Sequence, residues 1–196
     1  MRSLGEFMRV FVCATKSEAQ GLVERFKLKK SSVKFGEKGA KFGESGASFG
    51  EKSVNVWLGE GILLFICGVG FGKNGENAQI FGEILAKFSP KTAINFGICG
   101  CNSDEISVGE GFLWDENSAP KEASLICVNT PQTTKISAPT ISLYDMESAK
   151  FKEICAKFGV KFKIYKVVSD HLIDAKIDKA STCALLRAHA EKIGEL

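Results

Sequence analysis

Two carboxylates stand out in this chain: Glu147, in the run Asp145-Met146-Glu147-Ser148, and Asp170, at the end of Val167-Val168-Ser169-Asp170. They sit in a protein with few other polar residues suited to chemistry. An ionised carboxylate accepts hydrogen bonds through two oxygens, and a protonated one donates, so such a pair suits acid–base work on a bound molecule. Glu18 is a third candidate, in the first turn of an expected helix just past a strand end. All three have a local explanation as well. Asp145 can cap the helix that follows it, Glu147 and Glu18 can complement helix N-terminal dipoles, and Ser169-Asp170 can cap the next segment.

The elements that must position these groups are well marked. Phe151, Ile154, Cys155 and Phe158 fall at helical spacing and Gly159 follows as an expected left-handed cap, so a helix spans Glu147 to Phe158. Phe162, Ile164, Val167 and Val168 then predict a mostly buried strand. Strand, helix and strand read as a βαβ unit whose right-handed crossover puts both strand ends, and hence Glu147 and Asp170, at one edge of the sheet. Earlier elements are a strand over Arg9 to Ala14, a helix over Ser17 to Lys27, a hairpin-like region, a strand over Gly61 to Ile66 and a helix over Asn74 to Phe88. Strands over Thr92 to Phe96, Glu110 to Trp114 and Leu125 to Val128 follow, and a terminal helix runs from Ser181 to Ile193. This alternation predicts a three-layer α/β fold, with a central, mostly parallel mixed sheet flanked by helices.

Two glycine-rich turns follow strands. Gly68-Val69-Gly70-Phe71-Gly72-Lys73 opens a helix, and its backbone N–H groups are suited to an anion or a hydroxyl. It fits neither the dinucleotide nor the Walker pattern, and a plain strand-to-helix turn explains it equally. In Asn95-Phe96-Gly97-Ile98-Cys99-Gly100 the small residues let a flat ligand approach the backbone closely. Phe35-Gly36-Glu37, Phe42-Gly43-Glu44 and Phe49-Gly50-Glu51 recur at a period of seven; this glycine-rich stretch, 31–54, reads as a hairpin or loop insertion without chemistry.

A chain of 196 residues, 44% hydrophobic, builds one good core, so a single domain over 1–196 is expected. The formal charge of +3 is small and its Lys and Glu are interspersed, so nothing points to a nucleic-acid or anionic-membrane surface and a small-molecule ligand is expected. The apolar run Val10 to Ala14 is too short for a signal-peptide core, no stretch approaches transmembrane length, and a cytoplasmic protein is expected, with residues 1–7 as a dispensable extension. The seven cysteines match no zinc spacing, so reduced core thiols and no metal are expected, Cys99-Gly100-Cys101 included.

The order of Cys13-Ala14-Thr15-Lys16-Ser17-Glu18-Ala19, Cys67-Gly68-Val69-Gly70, Asn95-Phe96-Gly97-Ile98-Cys99-Gly100, Val108-Gly109-Glu110, Asp145-Met146-Glu147-Ser148 and Ser169-Asp170 resembles the purine nucleoside phosphorylase and nucleosidase superfamily. The methylthioadenosine/S-adenosylhomocysteine nucleosidases are the nearest in look. The resemblance covers most of the chain outside the repeats, and its D-M-E and S-D elements are the most specific. It implies that Glu147 grips the ribose 2′- and 3′-hydroxyls and that Met146 packs on the sugar. It further implies that Asp170, oriented by Ser169, hydrogen-bonds the purine N7 and that Glu18 activates the attacking water. Gly68, Val69, Gly97, Ile98 and Cys99 are the expected binding turns. The chain departs from the family at Lys166, where an arginine is common, at Ile98, where a small or hydroxyl residue is usual, and at Gln132, near the usual base-stacking aromatic. Only Asn117 to Ser124 stand where the family carries a longer segment that supplies a helix, pocket wall and subunit contact.

The resemblance therefore implies cleavage of the N-glycosidic bond of a purine-type nucleoside by water, without a cofactor, in a homodimer. The alternatives are phosphorolysis, with phosphate as co-substrate at Gly68 to Gly72 and Lys73 or Lys166, and a catalytically weak nucleoside-binding protein of the same fold.

Overall fold

The computed structural model describes residues 9–35, 52–72, 75–134, 139–172 and 178–194. In chain order these form β1 (Arg9–Cys13), α1 (Lys16–Arg25), β2 (Lys29–Phe35), β3 (Lys52–Gly59), β4 (Ile62–Ile66), a 3-10 turn (Val69–Phe71) and α2 (Glu76–Phe88). Then come β5 (Thr92–Cys101), β6 (Gly111–Asp115), β7 (Ser124–Cys127), β8 (Ser142–Asp145), α3 (Ser148–Phe158), β9 (Lys161–Asp170) and α4 (Lys179–Gly194).

The nine strands among the described residues join one sheet, in the order β2-β3-β4-β1-β5-β8-β7, with β9 on β5 and β6 on β9. Side chains alternate across it, and the two faces acquire separate cores. Val10 and Val12 of β1 join Phe81, Ile84 and Leu85 of α2 and Phe151 and Ile154 of α3. Phe11 and Cys13 join Ala19 and Leu22 of α1 and Leu186, Ala190 and Ile193 of α4 on the other face. This is the expected three-layer arrangement. Gly159 caps α3 with φ +64°, as its position in the sequence predicts.

Three expectations change. The strand expected to stop at Phe96 continues through Gly97 and Gly100 to Cys101, so the second glycine turn is strand, not loop. The sheet is parallel at its centre, across β4–β1, β1–β5 and β5–β9, and again at β7–β8. The pairs β2–β3, β3–β4, β5–β8 and β6–β9 are antiparallel, so the sheet as a whole is evenly mixed. Finally, β8, α3 and β9 do not form a crossover between parallel neighbours. Because β1 already occupies that edge of β5 over Thr92 to Asn95, β8 meets β5 only at Gly100 and Cys101, and antiparallel. Running back along β5, it still delivers Asp145 to the edge where β9 ends. The strands flanking the repeats, β2 and β3, pair antiparallel from Lys29↔Leu58 to Phe35↔Lys52. The remaining repeat residues, 36–51, lie outside the described residues, as does the extension 1–7.

Phe81, at the centre of α2, ties the site-bearing pieces together. Its ring stacks on Phe65 of β4 and Phe151 of α3, with centroids 6.5 and 5.5 Å away, and meets Phe71 of the 3-10 turn at 5.9 Å. Phe81→Ala is expected to lower the unfolding free energy in urea by about 3–5 kcal/mol, the cost of deleting a buried phenyl ring. A loss below about 1 kcal/mol would contradict this packing role.

Candidate active site

The central parallel strands β4, β1, β5 and β9 point their C-terminal ends at one edge, where ligands of open α/β sheets bind. A cleft of about 340 Å³ opens there, lined by Glu18, Val69, Ile98, Cys99, Met146, Glu147, Ser169 and Asp170 among others. That volume falls within the range of small-molecule sites, about 300–1,000 Å³. Eight of the ten residues expected from the sequence thus share one wall. Gly68 and Gly97 are not among its lining residues. Gly97 leaves room for charged neighbours, since a Cβ there would lie 2.6 Å from Glu18 Oε1 and 3.5 Å from Lys166 Nζ.

Glu18 is 4% exposed. It completes a capping box with Thr15, whose N–H donates to Glu18 Oε2 at 2.7 Å while the Glu18 N–H donates to Thr15 Oγ1 at 3.2 Å. Its other oxygen, Oε1, accepts from the Ile98 N–H at 3.1 Å. Cap and site residue are therefore one group. Burial raises its pKa above the ordinary glutamate range; the nearby Lys166 charge opposes the rise and Glu147 adds to it.

Glu147, 5% exposed, stands at the N-cap position of α3 without capping it by its side chain. Asp145 does that work, accepting from Ser148 N–H at 3.0 Å and Ser148 Oγ at 2.6 Å. Glu147 Oε1 instead accepts from the Gly70 N–H at 2.9 Å, and Oε2 lies 3.4 Å from Lys166 Nζ. The local explanation thus holds for Asp145, whereas the Glu147 carboxylate is engaged by the Gly70 turn and Lys166. Met146 lies beside Gly70, whose φ of +60° only glycine adopts without strain.

Lys166 is the group that the sequence pattern undervalues. It lies in β9 beside Gly97 and is 1% exposed. Its ammonium is 2.9 Å from Asp145 Oδ2 as well as 3.4 Å from Glu147. Burial disfavours its charge, but Asp145, Glu147 and Glu18 together override that and hold its pKa above that of ordinary lysine. Burial likewise pushes Asp145 up, and Lys166 with Ser148 more than reverses it, leaving the carboxyl below its usual range. A lysine inside an apolar strand was the available signal.

Asp170 Oδ1 accepts from the Leu172 N–H at 2.9 Å. Ser169 Oγ lies 2.7 Å from Asp170 Oδ2 and 3.0 Å from the Cys99 carbonyl. A hydroxyl has one proton and two lone pairs. It can give that proton to ionised Asp170, or turn it to Cys99 and accept from protonated Asp170, so it orients the acid in both states. Leu172 itself is buried with φ +59°, a strained conformation for a leucine, next to the acid it holds. Burial pushes the thiols of Cys13, Cys67 and Cys99 up, which keeps them protonated and poorly reactive.

The turn after β4 is less open to anions than its glycines suggest. The Gly70 N–H serves Glu147, the Phe71 N–H donates to Gly68 O at 3.1 Å, and the Gly72 N–H donates to Val69 O at 3.0 Å. Lys73 lies outside the described residues. Sequence reasoning also missed Thr15, Tyr144, Leu172, Lys179 and Thr182 on the cleft wall, while Gln132 stands there as expected.

No protein-family model and no curated protein matches this sequence. Solved structures do. Helicobacter pylori 5′-methylthioadenosine/S-adenosyl homocysteine nucleosidase superposes with a TM-score of 0.62 at 10% identity, over 98% of this chain and 100% of that one. Futalosine hydrolase of H. pylori strain 26695 gives 0.59 at 10% identity, over 97% and 99%. Arabidopsis thaliana 5′-methylthioadenosine nucleosidase gives 0.56 at 16% identity, over 95% and 94%. The chain has the fold of these nucleosidases. Among the described residues, no helix is long and apolar enough to cross a membrane.

Removing one partner of a buried ion pair leaves the others uncompensated. Lys166→Met is therefore expected to cost about 3–5 kcal/mol in denaturant unfolding, and Lys166→Arg clearly less. Equal losses for the two variants would show that the charge is not what matters.

Proposed function

We propose that this chain is a nucleosidase, which cleaves the N-glycosidic bond of a purine-type nucleoside with water. One observation carries the reading: Glu18, Glu147 and Asp170 line one cleft, while Lys166 and the N–H groups of Gly70, Phe71 and Gly72 are engaged within the chain. Breaking this bond builds positive charge on the ribose and negative charge on the base. Asp170 protonates the purine N7 as the C1′–N9 electron pair moves to the base. Water attacks C1′, and Glu18 accepts its proton; the products are free base and ribose. Glu147 holds the 2′- and 3′-hydroxyls through its carboxylate, with Met146 against the sugar. Val69, half exposed on the wall, Ile98 and the backbone at Cys99 supply apolar and close-packed surface for the flat parts of the ligand.

Phosphorolysis is disfavoured on two counts. The N–H groups of Gly70, Phe71 and Gly72 have acceptors within the chain, and Lys166 is held between Asp145 and Glu147. A phosphate approaching Glu18 would also meet an anion. Base release, followed by chromatography over a nucleoside panel, is expected to proceed without phosphate, and Asp170→Asn is expected to slow kcat by roughly 10²–10⁴-fold. Strict dependence on phosphate would overturn the hydrolytic reading, and an unchanged rate in the Asn variant would overturn the role of Asp170.

The pH profile carries the signature of Glu18. It must be ionised to take a proton from water, and its raised pKa places that ionisation above the ordinary glutamate range. Thus kcat/KM is expected to rise with pH on an acid limb displaced upward, which Glu18→Gln abolishes along with most activity. The same limb surviving in Glu18→Gln would assign it to another group.

A further inference from the structure

Asp170 is the last residue of β9, and the 102–110 loop between β5 and β6 holds that strand end on both sides of the acid. Before it, the Gly109 N–H donates to the Val168 carbonyl at 2.8 Å and the Val168 N–H donates to the Glu110 carbonyl at 2.9 Å. After it, the His171 Nε2–H donates to the Ile106 carbonyl at 2.7 Å. The acid therefore sits in a bracket whose own shape must be fixed. Gly109 has φ +92°, a backbone conformation that favours glycine. The Glu110 N–H closes the turn by donating to the Ser107 carbonyl at 3.0 Å.

The Gly109 carbonyl is held from α4. It accepts from His189 Nε2 at 2.9 Å, while His189 Nδ1 lies 2.8 Å from the Tyr165 hydroxyl of β9. A carbonyl only accepts, so Nε2 carries the proton, and in the neutral ring Nδ1 is left to accept from Tyr165. Burial lowers the His189 pKa, which keeps the ring neutral. Both residues are buried, their ring centroids lie 5.6 Å apart, and Tyr165 packs in the core of Phe96, Leu186 and Ala190. Gly111 makes room for the pair, since a Cβ there would collide with the Tyr165 hydroxyl and come within 3.0 Å of His189 Cε1. Neither Tyr165 nor His189 lines the cleft. An apolar pair would pack here without desolvating polar groups, so what the polar pair adds is a fixed position for the Gly109 carbonyl.

We infer that Tyr165 and His189 are positioning residues for the Asp170 acid: through the Gly109 turn they hold the end of β9 so that the carboxyl meets the leaving base. This rests on the nucleosidase reading above and adds to it two side chains that stand off the cleft wall.

The test compares two substrates that differ in their need for the acid. A purine nucleoside requires a proton on its departing base, whereas 4-nitrophenyl β-D-ribofuranoside releases a phenolate that is stable without one. In the full-length protein, His189→Phe and Tyr165→Phe keep an aromatic ring and remove the bonds, and His189→Gln retains an amide that can donate and accept. The ratio of kcat for the purine nucleoside to kcat for the nitrophenyl riboside is expected to fall about tenfold in His189→Phe, within the range for a reacting group displaced by a distant change. It is expected to fall less in Tyr165→Phe and to stay close to wild type in His189→Gln. A merely structural role slows both substrates alike, so an equal loss for the two, or no loss, overturns the inference. Amide hydrogen exchange gives a second readout. Faster exchange at Gly109, Val168 and Leu172 in the Phe variants, with β1 and β4 unchanged, supports the bracket, and unchanged exchange at those three amides overturns it. Tyr165→Phe supplies both measurements if His189→Phe does not fold. Where the wild type turns over only one compound, exchange decides. Where it releases neither base nor nitrophenolate, the nucleosidase reading fails and exchange still decides the bracket.

Discussion

The buried ammonium of Lys166 is the constraint on which the site depends. Three carboxylates, Asp145, Glu147 and Glu18, act on it where the ends of β1, β5, β8 and β9 converge, and its burial denies it the screening of bulk water. Low-dielectric surroundings make each unpaired charge expensive and each pairing directional. The cluster therefore fixes more than its own energy. It holds Glu147 against the Gly70 turn, stops Asp145 from serving only as a helix cap, and moderates the burial that raises Glu18. The glycine at 97 follows from the same crowding, since any side chain there would displace the Glu18 carboxylate.

Commitment of groups also distinguishes this cleft from an anion hole. A glycine turn with three free N–H groups and a buried lysine beside it would welcome phosphate. Here Glu147 occupies one of those N–H groups, the turn's own carbonyls take two more, and the lysine is held by two acids. What remains accessible is a set of carboxylates with their hydrogen-bonding orientation fixed, which suits hydroxyls, a water and a basic ring nitrogen.

Much of this was legible in the residues themselves. Phe151, Ile154, Cys155 and Phe158 with Gly159 marked α3, and the D-M-E and S-D runs placed Glu147 and Asp170 at one sheet edge. The route was different: periodicity specifies a strand but not its direction, so the antiparallel β8 reads as part of a parallel crossover. Glycine in a sequence suggests a turn, and only the neighbouring Glu18 explains why Gly97 lies within a strand. Lys166 shows in the sequence as a lysine inside an apolar strand, but a single residue in such a run does not announce which acids it will meet. Lys179 and Leu172 are brought to the cleft by tertiary packing that no local pattern encodes.

That these carboxylates direct water to the anomeric carbon of a nucleoside is the central claim. It is tested most directly by running the reaction in ¹⁸O-enriched water, with phosphate present, and characterising the sugar product by mass spectrometry under conditions that limit later exchange. Incorporation of one ¹⁸O at C1 of free ribose, with unlabelled base, is the expected result. Ribose 1-phosphate without the label, or intact nucleoside after prolonged incubation across the panel, would contradict it.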